Sequence, residues 1–118
     1  MTQFNDYVAA SRDFLSNSFE ELAQGELTQA SEKGWGAAAQ MVKAVSQHRG
    51  WPHDGRAALF QAVARLADET RDAQLVRLSQ IANSLHINFY ENWVPSESVR
   101  ESLVAVSELV AKLEELVS

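Results

Sequence analysis

The 118-residue sequence predicts an all-α fold, a compact antiparallel bundle of four long helices plus one short helix, formed as one domain over residues 1–118. Apolar residues recur at spacings of three and four along most of the chain, which is the period of a helix buried on one face, and no stretch shows the sustained two-residue alternation of a strand. Glycines and prolines separate these stretches by only a few residues. Such short links favour antiparallel neighbours.

The first two helices are predicted over residues 3–24 and 27–48. Gly25 ends the first, because glycine suits the left-handed position after a helix, and the turn at residues 50–52 ends the second. In the second helix a row of small residues predicts close packing against another helix, which would offset the roughly 1 kcal/mol that an interior glycine costs. The row consists of Ala30, Gly34, Ala37 and Ala38. Gly36 points to another side, where it leaves room for a ligand, a partner or Trp35, or forms a second tight contact.

Three more helices follow. The short third helix begins after Asp54, a good N-cap residue, and the fifth begins at Ser96, another N-cap candidate. The fourth carries an apolar stripe from Leu75 to Trp93 and is closed by Val94-Pro95. The fifth carries a narrow apolar seam with alternating spacings of four and three.

Composition narrows the class of function. The net charge of −6 opposes nonspecific nucleic-acid binding, which depends on Lys and Arg. The chain has no cysteine, which excludes disulfides, thiolate metal sites and cysteine nucleophiles and suits a reducing compartment. It shows neither a secretory signal nor an apolar run of about 20 residues, so we expect a cytoplasmic protein that does not enter a membrane.

One stretch raises the question of a cofactor. Gly34-x-Gly36-x-x-Ala39 fits the dinucleotide-binding fingerprint when Ala is allowed at the last position, and Asp54 follows at about the distance of the ribose-binding carboxylate. That loop needs a strand before it, because its glycines let a strand turn sharply into a helix. The residues before Gly34 are polar and helical in pattern. The motif therefore predicts two glycines inside a helix, and no cofactor.

The richest cluster of polar and aromatic residues lies in the fourth helix. On a helix His86, Tyr90 and Trp93 share one stripe, while Asn88 and Glu91 lie on another. A histidine in this setting is either a general base, with its tautomer fixed by a neighbouring acceptor, or a hydrogen-bonded residue at the edge of the core.

The turn 48–56 is the second cluster. Its Arg49, His53 and Arg56 are candidates for binding an anion or a partner, since arginine offers a planar fork to phosphate or carboxylate. Alternatively, Trp51 simply caps the end of the bundle. A zinc ion held by the turn's histidines would have no helical histidine pair to preorganise it, so no metal site is expected. No nucleophile motif, P-loop or EF-hand occurs, and no catalytic residue is predicted.

Four segments together carry a family resemblance. They are residues 25–38 (GELTQASEKGWGAA), Val42-Lys43-Ala44, the Arg49-Gly50-Trp51 turn with His53 and Arg56, and residues 85–91 (LHINFYE). Over residues 15–115 the chain resembles the HEPN superfamily, and within it the archaeal repeat-family proteins of the PaREP type and their bacterial relatives.

The resemblance implies an antiparallel bundle, commonly a homodimer, from a superfamily that includes metal-independent ribonucleases, toxin components and partners of nucleotidyltransferases. Its ribonucleases carry an Arg followed after four to six residues by a His. Here three residues separate Arg49 from His53, and eight separate Arg77 from His86.

We therefore expect a non-catalytic, dimeric module that binds a nucleotide-containing ligand or a partner protein, such as an antitoxin or a nucleotidyltransferase. The alternatives are a ribonuclease with a degenerate Arg/His site that uses His86, and a structural scaffold with an exposed apolar patch.

Overall fold

The structure is a computed structural model and describes residues 2–117. Five helices are joined by the short links 24–26, 50–54, 71–73 and 92–95. The helices are α1 (Thr2–Ala23), α2 (Leu27–Arg49), α3 (Gly55–Thr70), α4 (Gln74–Glu91) and α5 (Ser96–Glu115). No strand occurs in this described stretch. The predicted all-α bundle is confirmed, and no helix within residues 2–117 is long and apolar enough to cross a bilayer.

α2 is the central helix, since it contacts each of the other four. Lys33, in the first half of α2, lies beside Glu21 near the end of α1. His48, at the end of α2, lies beside Phe4 near the start of α1. α1 and α2 are therefore antiparallel. They are joined at Gly25, whose φ of 79° is the left-handed conformation that the sequence predicts for the end of α1.

α3, unlike α1, runs parallel to α2. Trp35 stacks on Phe60 and Arg49 pairs with Glu69, so the contacts advance in the same direction along α2 and α3. The link 50–54 thus returns along α2 before α3 begins, and the first turn of α3 lies beside the second half of α4. This arrangement builds the groove described below.

The small residues of α2 are buried. A Cβ atom added at Gly34 would lie 2.5 Å from Cδ2 of Leu103 in α5 and 3.0 Å from Cδ1 of Leu85 in α4, so α2 meets both helices here without room for a methyl group. Gly36 faces α1, where a Cβ atom would lie 3.2 Å from Cδ2 of Phe14. The Phe14 ring therefore occupies the space that the sequence left open for a ligand, a partner or Trp35.

The start of α5 differs from the prediction. Pro95 holds the N-cap position and Ser96 is the first helical residue. The carbonyl of Pro95 accepts a hydrogen bond from the Val99 amide at 3.0 Å, which sets the first turn one residue earlier than a Ser96 cap would. At α3, Asp54 does hold the N-cap position, although its side chain makes no capping hydrogen bond.

The end of α4 differs as well. The helix stops at Glu91 because Asn92 adopts a left-handed φ of 53°. Trp93, which the sequence places on the core stripe of this helix, lies after that turn and is 68% exposed.

Candidate functional site

Four of the predicted ligand-binding residues meet at one open groove between α3 and α4. Arg56 comes from the first turn of α3, and His86, Tyr90 and Glu91 come from the second half of α4. Ile87 completes the lining, and the groove encloses about 290 Å³. We call it the α3/α4 groove.

His86 is held in place from three sides. Its Nδ1 lies 2.9 Å from Oε1 of Glu32 in α2, and its ring contacts Trp35 and Tyr90 at centroid distances of 5.4 and 5.5 Å. An ionised carboxylate only accepts hydrogen bonds, so Nδ1 is the donor in this pair. In the neutral ring, Nε2 is then the nitrogen that can accept a hydrogen bond from a ligand.

Tyr90 gives the groove an aromatic wall. Its side chain is 70% exposed, and its ring is perpendicular to that of His86. Phe89 supports the ring at a centroid distance of 4.9 Å. An exposed ring fixed by two neighbours offers a flat face to a planar ligand.

Arg56 and Glu91 give the groove charges of both signs. Both residues are exposed. One nitrogen of the Arg56 guanidinium, Nη1, donates to Oδ1 of Asn83 at 3.1 Å, which anchors the side chain to α4. A guanidinium has five N–H donors, so most of them remain for a ligand.

Asn88, also predicted as a ligand residue, lies beneath the surface. It is fully buried, and its Nδ2 donates to Oγ of Ser31 at 3.0 Å. Its Oδ1 accepts hydrogen bonds from the backbone amides of Trp93 and Val94, each at 2.9 Å. The side chain therefore joins α2, α4 and the link after α4, and it supports the groove from below.

Arg49 and His53 lie away from the α3/α4 groove. Arg49 donates to both carboxylate oxygens of Glu69, at 2.8 and 3.1 Å, and its guanidinium lies 5.2 Å from the centre of the Trp51 ring. His53 approaches the Tyr7 hydroxyl at 3.4 Å through Nε2. The turn 48–56 is thus divided, with only its last residue reaching the groove.

Glu32 and Trp35 were not among the predicted site residues. Both precede His86 by about fifty residues and lie on α2. Helical periodicity shows which face of α2 is apolar, but it does not show which residue of α4 each position will meet.

The described part of the chain holds no cluster suited to a metal ion, since no three His, Asp or Glu side chains in it lie close enough together.

Comparison with known proteins identifies a family. The model of the archaeal PaREP1/PaREP8 family matches residues 6–110. The crystal structure of a protein from Sulfolobus solfataricus is similar to this one, with a TM-score of 0.83 and 21% sequence identity, over 92% of this chain and 97% of that one. At this identity the likeness shows a shared fold. No curated protein matches the chain.

Proposed function

The chain belongs to the archaeal PaREP1/PaREP8 family, and we propose a function from the geometry of the α3/α4 groove. The protein is a HEPN-like, non-catalytic module of the cytoplasm that binds a nucleotide-containing ligand. One observation carries the proposal: an exposed, supported aromatic ring, Tyr90, and an exposed guanidinium, Arg56, line the same groove.

The two groups match the two ends of a nucleotide. A nucleobase stacks on the Tyr90 ring, a contact that contributes about 1–3 kcal/mol in single-strand binding proteins. The free N–H donors of Arg56 take the phosphate, because a guanidinium pairs with phosphate through two parallel hydrogen bonds. His86 accepts a hydrogen bond from a ribose hydroxyl through Nε2.

The charges favour a ligand with a single phosphate group. Arg56 is the one arginine or lysine in the lining, and Glu91 places an exposed carboxylate on the same wall. The carboxylate of Glu32 lies behind His86. A triphosphate would meet two carboxylates with one cation to offset them, whereas a monophosphate needs only the guanidinium.

Calorimetric titration with AMP, GMP, CMP, UMP and ATP tests the proposal. We expect at least one monophosphate to bind more tightly than ATP, and Arg56→Gln to weaken it tenfold or more, since a hydrogen bond to a charged group is worth about 1.5–3 kcal/mol. Arg100→Gln is the matched control, because Arg100 is an exposed arginine on α5. The absence of binding by all five nucleotides, or equal binding by the Arg56 variant, would refute the proposal.

A second candidate function is metal-independent cleavage of RNA, and it is favoured by the meeting of Arg56 and His86 in the groove. Glu32 orients the imidazole, as a carboxylate does for a general base. His86 would take the proton from a ribose 2′-hydroxyl as that oxygen attacks phosphorus, and the 5′-oxygen would leave and take up a proton from water. Arg56 would stabilise the charge on the phosphoryl oxygens.

Incubation with a fluorescent oligoribonucleotide in EDTA separates the two candidates. Cleavage that disappears in His86→Ala and persists in His48→Ala supports the enzyme, because His48 is an exposed histidine outside the groove. Nucleotide binding without cleavage supports the binding module.

We propose further that two copies form a homodimer through an apolar ridge at the end of α4. The ridge consists of Ile87, Tyr90 and Trp93, which are 42%, 70% and 68% exposed. Ile87 and Tyr90 also line the α3/α4 groove, together with Arg56 and Glu91. A twofold axis through the ridge can therefore set Arg56 of each copy opposite Glu91 of the other and would place the ligand site at the dimer interface. If the protein is a monomer, we propose instead that an antitoxin or a nucleotidyltransferase binds this surface.

A further inference from the structure

A second cleft lies between α3 and the link 50–54. We call it the Trp51 cleft. It is lined by Trp51, Pro52, Ala58, Gln61, Ala62 and Arg65 and encloses about 80 Å³. None of these residues lines the α3/α4 groove, so the two sites share no side chain.

Two guanidinium groups lie against the Trp51 ring. The Cζ atom of Arg65 is 4.2 Å from the ring centre, and that of Arg49 is 5.2 Å away. Attraction between a cation and the electron-rich face of an indole holds both groups near the ring. A guanidinium that contacts a ring through its flat face keeps its N–H edge free for hydrogen bonds.

The two arginines differ in how their charge is balanced. Arg49 is neutralised by Glu69 through two hydrogen bonds. Glu69 lies one helical turn beyond Arg65 on α3, yet its carboxylate is turned to Arg49. Arg65 forms no ion pair and no hydrogen bond within residues 2–117. The cleft thus holds a guanidinium that has no ion-pair partner among the described side chains.

Gln61 supplies a second polar group. It precedes Arg65 by four residues on α3 and lines the same cleft, so its amide and the guanidinium share one face of the helix. Ala58 and Ala62 form a small apolar floor beside them. A volume of about 80 Å³ admits a group of a few heavy atoms.

We propose that the Trp51 cleft is an anion site that binds a single oxyanion, a carboxylate or a phosphate, against the N–H edge of Arg65. Two parallel hydrogen bonds from the guanidinium hold the anion, and the Gln61 amide donates a third. Trp51 positions Arg65 for this contact.

Nuclear magnetic resonance of the three tryptophan indole N–H groups tests this site in the whole protein. Trp51→Phe identifies the Trp51 signal. Sodium acetate and inorganic phosphate are titrated separately at constant ionic strength, so that the two arms distinguish a carboxylate from a phosphate. We expect the Trp51 signal to move and saturate with at least one of the two anions, while the Trp35 and Trp93 signals stay in place.

Two substitutions make the result specific. Arg65→Gln should weaken the anion at least tenfold, and Arg65→Lys should weaken it less, because lysine keeps the charge and loses the planar fork. Arg100→Gln and Arg56→Gln should leave the titration unchanged, and the second of these separates the cleft from the α3/α4 groove. A Trp51 signal that fails to saturate with either anion, or that behaves the same in Arg65→Gln, would overturn the proposal.

Discussion

Among single residues, Asn88 shows how a buried polar side chain prepares an exposed surface. Its side-chain amide donates a hydrogen bond to the Ser31 hydroxyl and accepts hydrogen bonds from the backbone amides of Trp93 and Val94. These bonds fix the left-handed turn after α4 and hence the backbone that carries Trp93. Fixing an exposed side chain before it meets a partner lowers the entropy lost on binding. Asn88 therefore connects the core with the proposed ridge.

Replacing Asn88 by alanine is expected to destabilise the protein by about 1–3 kcal/mol, because two partly buried backbone amides lose their acceptor and the buried Ser31 hydroxyl loses a donor. Urea denaturation followed by circular dichroism measures the change. Asn17→Ala, at an exposed position of α1, is the control and should alter the stability by no more than about 0.5 kcal/mol. A loss in Asn88→Ala no larger than in this control would contradict the role assigned to the amide.

Single residues also show how far the sequence predicts the candidate site. His86 and Tyr90 are four positions apart on one helix, so helical periodicity places them on one stripe, and their rings are in contact. Glu32 meets His86 across 54 positions of sequence separation, which no local pattern encodes. Arg49 and Arg56 were grouped because they share a turn, but Arg49 pairs with Glu69 beside the Trp51 ring whereas Arg56 lines the α3/α4 groove.

For whole helices, sequence signals are strongest where backbone conformation restricts residue type. Gly25 and Gly50 both adopt left-handed conformations after a helix, and both ends were predicted. The start of α5 and the end of α4 were misplaced by one or two residues. Their bounds depend on the Pro95 carbonyl and the Asn88 side chain, that is, on hydrogen bonds that residue type alone does not reveal.

The two glycines inside α2 should respond differently to alanine. Alanine gains about 1 kcal/mol in helix propensity at either position. At Gly34 the new methyl group would overlap the buried Leu103, and such overpacking costs about 1–3 kcal/mol. At Gly36 it would meet the ring of the half-buried Phe14 at 3.2 Å, where a small shift of the ring relieves the contact.

We therefore expect Gly36→Ala to be more stable than Gly34→Ala by about 1–2 kcal/mol. Urea denaturation of the two variants beside the parent protein measures the difference. Each variant serves as the other's control, since both make the same chemical change in one helix. Equal stability would show that α5 can move away from α2 at little cost.

Over the whole molecule, the Asp72–Lys112 ion pair ties the link between α3 and α4 to α5, with Nζ and Oδ2 2.8 Å apart. The hydrogen bond from Lys112, aided by the Gln74 amide, lowers the pKa of Asp72. The same hydrogen bond raises the pKa of Lys112. A lowered carboxyl pKa stabilises the fold above about pH 4, and this contribution is lost as the pH falls through the lowered value. The raised pKa of Lys112 stabilises the fold below about pH 10, and this stabilisation is lost as the pH rises through the raised value.

Asp72→Asn removes this charge and keeps an oxygen for the Gln74 amide, which Oδ1 of Asp72 accepts at 3.0 Å. We expect a small decrease of the melting temperature near neutral pH, and a difference from the parent protein that shrinks in strong acid. Asp68→Asn makes the same change of net charge at an exposed position and should show no such pH dependence. A difference that stays constant from pH 7 down to about pH 2 would rule out the ion pair as its source.

The proposed homodimer makes the broadest prediction about the molecule. A specific interface usually buries about 800 Å² per partner, and a few large aromatic side chains at its centre contribute most of the affinity. Tyr90, in the last turn of α4, and Trp93, just after the end of that helix, are the most exposed aromatic side chains among the large hydrophobic residues. Light scattering after size-exclusion chromatography should give twice the chain mass of 13.1 kDa.

The double substitution Ile87→Ser with Trp93→Ser should give a monomer, because it removes two of the three apolar side chains of the ridge. Val104→Ser, an exposed apolar residue of α5, should remain a dimer. A parent protein that is monomeric at all concentrations would leave the ridge to a different partner, whereas a dimer unchanged by the double substitution would place the interface elsewhere.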